Sequence, residues 1–314
     1  MIRAILFTFV CAAASTAQQG WFPHEGGPLR YRVQIRFGEE PDTMPPGWKF
    51  GRVSAVGTDS AGRVYVFQRG PSADPVVVFD AKGKYLRAWG RGKFGSPHGL
   101  RIDRKDHVWV TDTGTHQVME FTGDGQLLRT LGVKGKSGAD DKTFNKPTDV
   151  AFSPSGDFYV TDGYGNARVV KFSREGKYLT AWGKAGTGPG EFNTPHAAVM
   201  DARGRLYVSD RENNRIQIFD ASGRFLKQWT HLGATQGIAL SPKGELWIVT
   251  HRNNAENLAY DTLAGRIMRI DPDSGAILGS MESPGHWISV TAAGEIFIAS
   301  LTGNVFRWYP GWVR

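Results

Sequence analysis

Short apolar runs such as Val108-Trp109-Val110 and Leu206-Tyr207-Val208 recur along the chain, bounded by polar turns that mostly contain glycine. Runs this short and this rich in β-branched and aromatic residues predict strands. One grammar repeats: a short strand, a polar turn, then a second strand that often ends in aspartate. Gly99–Asp103 with His107–Asp112, Asp149–Ser153 with Asp157–Asp162, and Ala197–Asp201 with Arg205–Asp210 are three copies. A third and a fourth strand follow each pair, as in Gln117–Phe121 with Gln126–Leu131, Arg168–Phe172 with Lys177–Trp182, and Arg215–Phe219 with Arg224–Trp229. Asp-Gly, Ser-Gly and Arg-Gly turns suit the positive dihedrals that antiparallel connections need. Four-stranded units recurring every 40 to 50 residues predict an all-β fold, a six-bladed β-propeller.

One position fixes the alignment of the units. It lies 14 residues before the end of each second strand and holds Ser54, His98, Thr148, His196, Gln236 and His286. The sixth unit offers strands at Trp287–Thr291, Glu295–Ser300 and Asn304–Trp308 and no fourth. Tyr31–Phe37, with Val33 and Ile35 alternating, is expected to supply it and close the ring, covering edges otherwise open to pairing. The expected organisation is residues 1–17 as an export signal, 18–48 as an N-terminal segment carrying the closing strand, and 49–314 as the propeller, one domain together with 18–48. Insertions at Lys134–Phe144, Ala185–Phe192 and His251–Gly265 lengthen loops that would line a binding face.

Composition changes this picture in three ways. Arg3, the apolar stretch Ala4–Ala14 and the small residues Ser15-Thr16-Ala17 read as a cleaved signal, so the protein is expected to be secreted or periplasmic. The apolar run is shorter than the roughly 20 residues of a membrane span. The single cysteine, Cys11, falls inside the signal, leaving a mature chain without thiol or disulfide chemistry. The formal charge of +8 comes from 38 basic and 30 acidic residues. Such a field can draw in anions, carboxylates or polyanions alike. The basic residues are scattered rather than clustered beside aromatic platforms, which counts against nucleic-acid binding. A monomer acting on a small carboxylate-bearing molecule or peptide is the expected partner class.

The candidate chemistry lies at the aligned position. Blades two, four and six carry His98, His196 and His286, in the phrases Ser96-Pro97-His98-Gly99, Thr194-Pro195-His196-Ala197 and Ser283-Pro284-Gly285-His286. Alternate blades of a six-fold ring are about 120° apart, so three imidazoles would converge on the axis. Three protein ligands with one position open is the arrangement of a catalytic zinc site. A lone histidine there would more often be a packing residue, but three of the eight histidines share this phase. Ser54, Thr148 and Gln236 could hydrogen-bond a ligand. Arg69, Tyr164 and Arg211 stand near the ends of second strands, around the same ring. A tyrosine held between a metal and a guanidinium can serve as a base. Asp112, Asp162 and Asp210 read as hydrogen-bond acceptors at strand ends rather than catalysts.

These motifs resemble NHL-type propeller repeats and, more narrowly, the catalytic core of the peptidyl-α-hydroxyglycine α-amidating lyases. The resemblance runs from about Ser54 to Trp308. It rests on Pro97-His98-Gly99-Leu100, Trp109-Val110-Thr111-Asp112, Lys146-Pro147-Thr148-Asp149-Val150, Asp162-Gly163-Tyr164-Gly165-Asn166-Ala167-Arg168 and Asp210-Arg211-Glu212-Asn213. It implies zinc on His98, His196 and His286, with Arg69, Tyr164 and Arg211 as catalytic residues. The implied reaction is cleavage of a peptidyl-α-hydroxyglycine to an amide and glyoxylate. It also implies a structural calcium near Leu100, although the family phrase Met-Pro-His-Asp reads Pro284-Gly285-His286-Trp287 here, with tryptophan in place of the coordinating aspartate. Two other readings fit the repeats: a non-catalytic NHL binding scaffold, and another metal-dependent propeller enzyme such as a hydrolase or lactonase.

Overall fold

A computed structural model describes residues 21–26, 29–38, 44–250, 265–283 and 285–311. The expected signal, most of the His251–Gly265 insertion and Pro284 lie outside them. The described residues form six antiparallel sheets and no α-helix; one 3-10 turn spans Arg211–Asn213. No helix among them is long and apolar enough to cross a membrane.

Blade 1 comprises Val53–Thr58, Val64–Gln68, Val76–Phe79 and Tyr85–Trp89. The inner strands of the remaining blades are Pro97–Ile102, Asp149–Phe152, Pro195–Met200, Thr235–Leu240 and Trp287–Val290. Each inner strand touches its neighbours, and the sixth touches the first, so the ring is closed. The turns are built as the sequence predicts. In the first, Asp59 takes the Ala61 and Arg63 amides at 3.0 and 2.8 Å, and Gly62 at φ 77° reverses the chain.

Large side chains fill the seams between blades. Trp89 meets Phe121 at 4.9 Å between blades 1 and 2, and Trp109 meets Phe158 at 4.8 Å between blades 2 and 3. Trp182 packs on Phe219 between blades 3 and 4, and Tyr31 on Trp247 between blades 6 and 5. Burial of each such side chain contributes roughly 1.5–3 kcal/mol. The ring is therefore held by apolar seams, with main-chain ladders inside each blade.

The sixth blade is completed by Leu29–Gln34, which pairs antiparallel with Val305–Pro310, so the N-terminal segment closes the ring. The closing strand is shifted from the expected Tyr31–Phe37. Arg36 adopts φ 62°, which ends the strand, and Ile35 is 40% exposed rather than in the core. A further strand, Trp21–Gly26, pairs outside it and makes this sheet five-stranded.

Candidate metal centre

In blades 1 to 4 the loop leading to the aligned residue is held by a side chain at the end of the second strand. Asp112 accepts the Gly95 and Ser96 amides at 2.6 and 2.8 Å, fixing the loop that leads into His98. Asp210 takes the Asn193 amide at 2.6 Å ahead of His196, and Asp162 takes the Asn145 amide at 2.9 Å ahead of Thr148. Gln68 does this in blade 1, accepting the Gly51 amide at 3.0 Å. These aspartates are the strand-end acceptors expected from the sequence.

The ring brings His98, His196 and His286 together. Their ring centroids are 4.9, 5.0 and 5.0 Å apart, the planes nearly perpendicular, and one nitrogen from each falls within 4.8 Å of the others. All three are buried, at 1%, 0% and 5% exposure. Every Nδ1 faces a main-chain carbonyl at the same aligned position one blade further round: His98 to Thr148 at 2.8 Å, His196 to Gln236 at 2.6 Å, His286 to Ser54 at 2.6 Å. A carbonyl can only accept, so each Nδ1 carries the hydrogen and each Nε2 presents a lone pair. Burial pushes the His98 and His196 pKa values well below the ordinary histidine range; the neighbouring imidazoles and Arg211 push the same way. Neutral imidazoles with converging lone pairs and carbonyl-anchored N–H groups are the donor set of a metal-binding histidine cluster. These residues fit zinc.

Tyr164 stands over the ring. Its hydroxyl lies 3.0 Å from His98 Nε2 and 2.9 Å from His196 Nε2, and Arg211 Nη1 donates to it at 3.1 Å. One phenolic hydrogen can serve only one of the two imidazoles, so hydrogen bonding within the protein leaves a buried lone pair over. Arg211 also donates to Glu212 at 2.7 Å and reaches the Gln236 side-chain oxygen at 3.4 Å. Arg69 Nε donates to the Pro97 carbonyl at 2.6 Å, and its two terminal nitrogens have no partner among the described residues. Burial lowers the Arg69 pKa from its ordinary value, while the Tyr164 oxygen works against that shift. This half-buried guanidinium has no carboxylate of its own.

Other aligned residues act differently from expectation. Ser54 and Thr148 do not face a ligand: their hydroxyls donate to the carbonyls of Phe67 at 3.1 Å and Pro195 at 2.7 Å. Their contribution is the carbonyl that orients a histidine. The expected calcium position near Leu100 does not fit a metal ion, because the Leu100 carbonyl accepts the Trp287 indole N–H at 3.1 Å and the carboxylate of that layer, Asp149, is paired with Arg101. A second cluster, Asp103, His107 and Glu120, is already spent. Asp103 takes the Trp109 indole N–H and two amides, while Glu120 takes His107 at 2.8 Å and Arg129 at 3.2 Å. His107 stands where Arg63 and Arg205 pair with the turn aspartates of blades 1 and 4.

Comparison with known proteins agrees with this architecture. Residues 138–247 match a family model described as a 6-bladed beta-propeller, and residues 94–121 match the NHL repeat. Human NHL repeat-containing protein 3 is 34% identical over 241 residues, covering 72% of this chain and 68% of that protein. Peptidyl-alpha-hydroxyglycine alpha-amidating lyase 1 of Drosophila melanogaster is 32% identical over 305 residues, covering 81% of this chain and 56% of that protein. A Xanthomonas campestris gluconolactonase structure superposes with a TM-score of 0.65 over 92% of this chain and 94% of its own, at 14% identity, a likeness of fold alone.

Proposed function

Because the chain belongs to the NHL-repeat propeller family, with α-amidating lyases among its relatives, we propose that it is a metal-dependent carbon–nitrogen lyase. Its substrate is a carbinolamide bearing a carboxylate, a peptidyl-α-hydroxyglycine or a smaller analogue, and its products are an amide and glyoxylate. Export from the cytoplasm, read from residues 1–17, belongs to the same proposal.

His98, His196 and His286 would hold the ion, zinc by ligand type. When bound, it supplies Lewis acidity that favours the ionised form of a substrate hydroxyl. Arg69, anchored through Nε to Pro97, offers its two terminal nitrogens to the substrate carboxylate. Tyr164 is held by Arg211 beside the imidazoles, where it can move a proton from the substrate hydroxyl to the departing amide nitrogen. The electron pair of the former O–H bond becomes the second C–O bond of glyoxylate. The C–N pair leaves with the amide, so no oxidant is needed.

The observation that carries this reading is the set of three buried imidazoles whose Nδ1 hydrogens are committed to carbonyls, with Tyr164 directly over them. The test is metal analysis of the purified protein together with glyoxylate release from an N-acylated α-hydroxyglycine. Stoichiometric metal and glyoxylate release are expected. Metal without glyoxylate would remove the reaction and keep the site; neither would favour a binding scaffold.

A further inference from the structure

Next to the imidazoles lie two large residues, Trp287 and Arg101, drawn from layers whose other members are mostly small. One place after the aligned position the blades carry Ala55, Gly99, Asp149, Ala197, Gly237 and Trp287; three places after it they carry Gly57, Arg101, Ala151, Val199, Ala239 and Ser289. The small residues make room for the large ones. A Cβ on Gly99 would lie 2.9 Å from Trp287 Cη2 and 2.5 Å from the Thr148 oxygen.

Trp287 is fully buried and spends its N–H on the Leu100 carbonyl. The Arg101 guanidinium sits 4.7 Å from the indole centroid and pairs with both oxygens of buried Asp149 at 2.9 and 2.6 Å. It also donates to the Ile238 carbonyl at 2.9 Å. Asp149 takes in addition the Val150 and Ala198 amides at 2.7 and 2.9 Å. One cation on the blade 2 inner strand thus engages those of blades 3, 5 and 6 directly, and that of blade 4 through Asp149 and a long contact of 3.5 Å to the Ala198 carbonyl.

A calcium ion here would need the Leu100 carbonyl and free carboxylate oxygens. Leu100 is occupied, and Asp149 is bound by an arginine that cannot be deprotonated in a protein. We propose that Arg101 is the built-in axial cation of this propeller, tying the inner strands together and supporting the histidine layer so that no divalent ion is required below it. The second function follows from Trp287, which adjoins His286 in sequence and lies 6.1 Å from the His98 ring. Arg101 is therefore a positioning residue for the metal centre. This inference does not depend on which reaction the centre performs.

Two arms test it, neither of them reading catalysis. In the zinc-loaded wild-type protein, calcium addition and a calcium-selective chelator should leave Tm unchanged; stoichiometric calcium binding with a rise in Tm would overturn the proposal even if every variant misfolded. Arg101→Ala should lower Tm by on the order of 10 °C, because it strands a buried carboxylate. It should also weaken zinc binding about tenfold. Low-millimolar guanidinium should recover part of both losses in Arg101→Ala but not in Arg101→Met, whose side chain fills the space without charge. Unchanged Tm and zinc affinity in Arg101→Ala, or equal rescue of both variants, would refute the assignment.

Discussion

Two polar layers stacked on one axis use the same six inner strands in opposite ways. In the lower layer every strong group is spent: Arg101 on Asp149 and Ile238, Asp149 on two further amides, the Trp287 N–H on Leu100. In the upper layer the imidazoles spend one nitrogen each on a carbonyl and aim the other at a common point. Buried polar groups are costly unless partnered. A closed set is accordingly structural, whereas one that concentrates lone pairs on a common point is shaped for something outside the chain. Asp103, His107 and Glu120, equally rich in ligand types, fall on the closed side because Arg129, Trp109 and backbone amides already occupy them. Satisfaction, more than residue identity, separates the two kinds of cluster.

The contrast breaks most visibly under substitution in the upper layer. His196→Ala should abolish stoichiometric metal binding and lower lyase turnover by at least about 10³-fold, the scale of losing several kcal/mol of charge stabilisation. The metal-free Tm should move far less than for Arg101→Ala, since the imidazole is not part of a closed ionic network. Metal analysis and calorimetry on both variants decide this. A large metal-free Tm loss in His196→Ala would erase the distinction between the layers. Tyr164→Phe is the next largest effect. It removes the hydroxyl shared by His98, His196 and Arg211 while leaving all three imidazoles in place. Turnover should fall by roughly 10²–10⁴-fold, the range for a positioned acid–base group, with metal content retained. Normal turnover would withdraw Tyr164 from the chemistry.

The upper layer was legible in the sequence and the lower one was not. The three histidines share a phase 14 residues before a strand end, which a repeat alignment exposes directly. The carbonyls of Ser54, Thr148 and Gln236 that orient them are main chain and leave no trace in residue type, so Ser54 and Thr148 read as groups that could hydrogen-bond a ligand although their hydroxyls serve the backbone. Arg101 carries no sequence signal, because its partners come from other blades, 48 residues away at Asp149 and 137 at Ile238. Trp287 was visible as a departure from the family phrase, but its indole as the partner of Leu100 was not. In the fold, turn chemistry placed most strands within one or two residues. The closing strand slipped because Arg36 takes a positive φ that ends pairing at Gln34, which leaves Val33 in the core and Ile35 exposed.

The smallest effect is a titration, and it separates the layers by how they respond to acid. Burial lowers the folded-state pKa of His98 and His196, so below about pH 6.5 the unfolded chain binds protons that the folded chain refuses. Stability is then fully present above the unfolded value and is lost as pH falls below it, with a slope approaching about 1.4 kcal/mol per pH unit for each imidazole. Metal loading should steepen the loss, because protons compete with the ion for Nε2. The Arg101 guanidinium remains charged throughout and adds no slope of its own. Metal-free stability measured from pH 7.5 down to 5 should therefore decline more gently in His196→Ala than in wild type, and in Arg101→Ala, which starts lower, proton uptake by the stranded Asp149 carboxyl should offset part of the imidazole slope. A flat wild-type profile would mean that the folded ring accepts protons freely, and a ring that does so is not holding three neutral nitrogens ready for a metal.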